Sequence, residues 1–166
     1  DALSRLKAVP AQEDVDYLQV SFSIIRDYPQ TQYSNLSIPT WLYGHEWTSP
    51  FATHIAKLFE NSVREDTLLT VAYGGIIYAP GRAGTIQEVF QEAVQNHYLT
   101  FGFASPMVFL DTEFWSKTTP FYPLLVDLLE KGIYKNLLLS LTDDVEEVIR
   151  IIRDFQQKCS VSHIGQ

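Results

Sequence analysis

At 166 residues the chain is long enough for one domain with a substantial core, and a composition 46% hydrophobic and 13% aromatic argues against disorder. A formal net charge of −8, with no Lys- or Arg-rich run, excludes a broad nucleic-acid surface but leaves room for a small phosphorylated ligand at one local positive site. The single Cys159 excludes an intrachain disulfide, and no apolar run of membrane-spanning length or signal peptide is visible, so the sequence reads as a cytoplasmic protein with no membrane partner.

Residues 1–37 read as a helical segment and a loop. Leu3, Leu6 and Val9 form a short stripe that Pro10 stops, and Val15, Leu18, Phe22 and Ile25 recur at helical spacing before Pro29. Residues 30–37 are polar and turn-like. Residues 38–43 predict a strand, with Pro39 near its start; Trp41, Tyr43 and Trp47 are assigned to the core. His45 and Glu46 follow in a loop at the strand's C-terminal end, the edge where parallel α/β sheets bind ligands. Both are candidates for ligand contact there, and a loop pinned by hydrogen bonds is the alternative. Their spacing with His54 does not match a zinc pair, so no metal site is expected. Ser49-Pro50 is a helix start, and a helix is expected over 50–72 with Phe51, Ile55, Leu58, Phe59, Ser62 and Leu69 facing inward. On its polar side, Arg64 stands four residues after Glu60, the spacing of a solvated ion pair.

Ile76, Ile77, Tyr78 and Ala79 predict a short buried strand that Pro80-Gly81 ends. Gly84 gives the backbone room to turn, and Thr85 opens an amphipathic helix carrying Ile86, Val89, Phe90, Ala93, Val94 and His97 on one stripe. Such a turn presents backbone N–H groups at the positive end of a helix, which suits a phosphate. Gly81, Arg82, Ala83, Gly84 and Thr85 are the candidate contacts. Glu88 has two readings: a capping box with Thr85, or a carboxylate beside a bound phosphosugar. A third strand is expected at Pro106–Leu110, with Glu113 and Trp115 in the loop at its ligand-side end. A helix over 120–132, a fourth strand over 137–141 and a last helix opened by an Asp143–Glu146 capping box follow, leaving 156–166 as a polar tail. Strands alternating with helices at this spacing predict an α/β fold with a parallel sheet and flanking helices.

The run Pro80-Gly81-Arg82-Ala83-Gly84-Thr85-Ile86-Gln87-Glu88 resembles the PGGxGTxxE signature of the LOG (Lonely Guy) family. Those proteins are Rossmann-like, are often labelled lysine decarboxylases, and in characterised members hydrolyse nucleoside 5′-monophosphates to a free base and ribose 5-phosphate. The resemblance spans residues 38–155 and includes the order of strands and helices. One position departs, with Arg82 in place of the motif's second glycine. The resemblance implies a Rossmann-like domain over 38–155 and Glu88 as the catalytic carboxylate. It places the 5′-phosphate on residues 81–85 and has Arg64 working with Glu88, as an arginine of the corresponding helix does in the family. It implies no cofactor, and a homodimer or larger homo-oligomer. It also implies an upstream βα unit with a GGG segment, whereas only Gly44, Gly74 and Gly75 precede the motif here. A sheet incomplete in its N-terminal half, from the C-terminal portion of a longer protein, is therefore expected. The expected function is hydrolysis of the N-glycosidic bond of a nucleoside monophosphate. The alternative is a nucleotide-binding regulatory module without turnover.

Overall fold

The computed structural model describes residues 1–9, 14–29, 31–41 and 48–162. Tyr43, His45, Glu46 and Trp47 lie outside them. The chain is mixed α/β, with parallel strands and flanking helices, and divides into two units, Asp1–Asp66 and Thr67–Gln166.

In the first unit, α1 (Ala2–Lys7) begins where the Asp1 carboxylate accepts a hydrogen bond from the Ser4 amide at 2.7 Å, an N-cap. Helix α2 (Asp14–Asp27) buries Ser21 and Ile24, and its Asp27 receives Arg5 at 2.6 Å. Strands β1 (Leu36–Ser37) and β2 (His54–Ile55) then pair in parallel, with Leu36 opposite His54 and a further bridge between Thr40 and Leu58. This corrects the helix expected over 50–72. Ser49-Pro50 makes only one turn, closed by the Ala52 amide on the Ser49 carbonyl at 3.0 Å. Asn35 and Thr53 then capture each other: the Asn35 amide donates to Thr53 Oγ1 and the Thr53 amide to Asn35 Oδ1, both at 2.7 Å. Such short polar side chains offer the backbone an alternative to helix. Ile55 and Phe59 are consequently exposed, and so is Trp41, which stacks on Phe59 at 5.6 Å under Lys57 instead of entering a core.

Helix α3 (Asn61–Val71) leads into β3 (Ile76–Tyr78), α4 (Ala83–Tyr98), β4 (Pro106–Leu110), a π-helical turn (Phe114–Thr118), α5 (Phe121–Glu130), β5 (Leu138–Thr142) and α6 (Val145–Ser162). The three strands form a parallel sheet in the order β3-β4-β5, with Tyr78 opposite Phe109 and Phe109 opposite Leu141. Central β4 is buried on both faces, the pattern of a parallel strand between helical layers. Met107 and Phe109 meet Tyr78, Val89, Ala93, Trp115, Leu125 and Leu137, while Val108 points to the opposite face and α6 packs on β4 and β5. Each fully buried side chain of this kind contributes about 1.5–3 kcal/mol.

Helix α6 continues through residues where composition alone suggests a tail. Its cap is Asp144, whose carboxylate accepts from the Glu146 amide at 2.9 Å, and not Asp143. Asp143 instead accepts from the Thr112 amide and hydroxyl at 2.7 and 2.6 Å, tying together the ends of β4 and β5 and holding its carboxyl below the usual range. No helix among the described residues is long and apolar enough to cross a membrane.

Candidate functional site

The β3–α4 turn is built around Gly81. A Cβ there would lie 2.1 Å from Thr85 Oγ1 and 2.6 Å from Thr85 Cβ, so the loop closes on the helix only because residue 81 has no side chain. Helix α4 begins at Ala83 with Arg82 as its N-cap, and its first backbone bond runs from the Ile86 amide to the Arg82 carbonyl at 3.1 Å. The helix thus starts two residues earlier than expected. Thr85 and Glu88 fall inside it, so they do not form a capping box. Arg82 has φ of −113° in extended backbone, which any residue adopts, so a side chain is accommodated where the motif has glycine. Its side chain is exposed.

The amides of Ala83, Gly84 and Thr85 belong to the first turn, where helical geometry supplies no acceptor. A Cβ at Gly84 would meet nothing within 4 Å, so packing does not explain that glycine. One turn on, Glu88 is half-buried and lines a cleft of about 290 Å³ with Thr85. The remaining walls are apolar, from Leu68, Leu69 and Ala72 of the α3 end to Ile76, Ile77, Ala79 and Pro80, together with Tyr78. A cleft with one carboxylate beside a helix N-terminus combines a site for negative charge with a group able to face developing positive charge.

Two buried residues, Tyr78 of the cleft wall and Glu92 of α4, carry polar groups that periodicity does not reveal. Tyr78 is buried to 2% exposure, and its hydroxyl has no hydrogen-bond partner among the described residues. Burial, then the carboxylates of Glu92 and Glu88, push this phenol well above its ordinary pKa. Glu92 is 4% exposed on the inward face of α4 and accepts a hydrogen bond from the Ser105 hydroxyl. Burial raises its carboxyl pKa and the Ser105 bond partly offsets this. Asn96 completes the set, accepting from the Ser105 amide at 2.8 Å and donating to its carbonyl at 3.0 Å. The buried face of α4 is therefore Val89, Glu92, Ala93 and Asn96, while Val94 is exposed. His97 is structural: its Nδ1 accepts from the Lys135 amide at 3.0 Å.

The structure brings Gly81, Arg82, Ala83, Gly84, Thr85 and Glu88 together in the second unit. Arg64 belongs to the first, where its side chain is 13% exposed and donates to Asn61 Oδ1 at 3.2 and 2.9 Å. Glu65, fully buried, accepts from Asn61 Nδ2 at 2.6 Å and lies 3.8 Å from the Arg64 guanidinium. Arg64 is thus enclosed in a polar cluster and not on the solvated face that its spacing suggests. His45 and Glu46 are outside the described residues. No cluster of three or more metal-ligating side chains occurs among the described residues. Neither a protein-family model nor a curated protein matches the chain.

Proposed function

We propose that this chain is a LOG-type, nucleotide-binding protein that hydrolyses the N-glycosidic bond of a nucleoside 5′-monophosphate. The observation that carries the reading is the open space above Gly84 at the start of α4, with Glu88 one turn away on the cleft wall. Backbone N–H groups of residues 83–85 hold the 5′-phosphate, and the Arg82 guanidinium adds a cation at the same end. Glu88 faces the sugar. As the C1′–N bond breaks, its electron pair leaves with the base, which takes a proton from solvent, and the ribose gains oxocarbenium character that the carboxylate stabilises. Water bonds to C1′ and gives its proton to Glu88, which returns it to solvent, leaving ribose 5-phosphate. The protein acts as a homo-oligomer in the cytoplasm, without a cofactor.

The test is release of ribose 5-phosphate from a panel of nucleoside monophosphates by the wild type and by Glu88→Gln. Release by the wild type, reduced at least about 10²-fold in the variant, supports the assignment. Equal release by both refutes it. Arg82 favours a second reading, a nucleotide-binding module without turnover, because its exposed cation strengthens ground-state binding. Saturable nucleotide binding with no free base would select that reading.

A further inference from the structure

The cleft accounts for Glu88 and the helix start but not for Trp115, which the sequence places in a ligand-side loop and the structure buries completely. Its indole N–H is shared between two carbonyls, Tyr78 O and Leu110 O, each at 3.1 Å. These belong to the last residues of β3 and β4, where the parallel ladder ends and the two chains leave the sheet. A single donor thus joins two strand ends. Tyr78 is followed directly by Ala79, Pro80 and Gly81, the stem of the loop that precedes α4.

The local structure fixes this donor firmly. Asp111 has φ of 90°, a conformation L residues seldom adopt, and turns the chain sharply after β4. Its carbonyl accepts from the Trp115 amide at 3.1 Å and its carboxylate from the Phe114 amide at 2.9 Å. The π-helical turn that follows delivers the indole back over the strand ends, where its ring meets Phe109 edge-on at 5.1 Å. The far end of the loop is held by the close approach of Gly81 to Thr85. The near end is held at the Tyr78 carbonyl.

We infer that Trp115 is a positioning residue for the β3–α4 loop: its indole N–H sets the direction in which the chain leaves β3, and so the aim of the amides at 83–85. The consequence for ligand binding rests on the phosphate-holding reading above; the effect on the loop does not. Trp115→Phe removes the donor and keeps an aromatic ring in the core. A second variant, with Trp115 replaced site-specifically by its benzothienyl isostere, removes the N–H at nearly constant volume.

The experiment measures amide hydrogen exchange along the chain, ribose 5-phosphate binding by calorimetry, and steady-state release from a nucleoside monophosphate. In both variants the Ile86 amide, which bonds to the Arg82 carbonyl where the loop meets α4, exchanges about tenfold faster or more, while those of β4 and α5 keep wild-type protection. The Kd for ribose 5-phosphate and the KM rise about tenfold with kcat within about twofold, the pattern of a lost binding contact. Wild-type exchange at Ile86 in the isostere, or acceleration spread evenly over the sheet, overturns the inference. If the wild type does not bind ribose 5-phosphate, the nucleotide reading falls, and the exchange profile alone still decides whether Trp115 directs the loop. If Trp115→Phe does not fold, the isostere decides.

Discussion

Gly84 separates what the fold needs from what a ligand needs. It is exposed in the first turn of α4, its φ lies outside the left-handed range, and a Cβ there meets nothing within 4 Å. In the ligand-free protein Gly84→Ala removes only the excess freedom of glycine in the unfolded chain, a gain of about 0.4–1 kcal/mol. For a chain of this length that corresponds to a Tm increase of about 1–4 °C. If a phosphate sits against the amides of residues 83–85, the same methyl occupies its place, and nucleotide affinity falls by about 10²-fold or more. Gly81→Ala is the contrasting variant. Its Cβ would land 2.6 Å from Thr85 Cβ, which is not a flexible side-chain end, so the first turn of α4 must move. A cost of about 1–3 kcal/mol follows, together with lost binding. Thermal unfolding and nucleotide calorimetry on both variants check this. A Gly84→Ala protein that is more stable and binds nucleotide like the wild type would refute the placement of the phosphate.

Two further predictions concern the buried polar groups of Glu92 and Tyr78. Because burial raises the Glu92 pKa above its unfolded value, its contribution to stability is complete below about pH 4.5 and is lost as pH rises through the folded pKa. Glu92→Gln keeps an acceptor for Ser105 and cannot ionise, so it should be more stable than the wild type at pH 7. The gain should shrink toward pH 4, and thermal melts across that range measure it; a gain independent of pH would contradict the burial argument. Tyr78→Phe removes a buried hydroxyl that has no partner among the described residues, so stability should stay level or rise by up to about 1 kcal/mol. A loss larger than that in chemical denaturation would show that the hydroxyl has a partner in solution.

The sheet of the second unit was legible because its signals are local and agree. An apolar run broken by Pro80-Gly81 gave β3, and Pro106–Leu110 gave β4 residue for residue. The β1–β2 pair was not legible, since Ser49-Pro50 is a true helix-start signal that loses to the reciprocal bonds of Asn35 and Thr53, 18 positions apart. Periodicity found Val89 and Ala93 on the buried face of α4 but not Glu92 and Asn96, because polar residues at core spacing are visible only once Ser105 is in place. A hint was present: both continue the three- and four-residue steps from Val89. The glycines of the turn were legible as a group, but their separate reasons were not. Gly81 serves the fold, whereas Gly84 has no packing reason.

The bonds joining Glu92 and Asn96 to Ser105 also govern how α4 can move. An apolar helix face slides over a sheet with little change in energy, since one hydrophobic contact replaces another. Hydrogen bonds from two successive turns to the residue just before β4 forbid a slip, because a shift by one turn would strand a buried carboxylate and a buried amide. The clamp lies about 14–20 Å along the axis from Ala83. Helix α4 is therefore anchored in its C-terminal half, and its first turn moves by pivoting and not by translation. Substitutions at Ser105, far from the cleft in sequence, should change the angle at which that end meets whatever it binds.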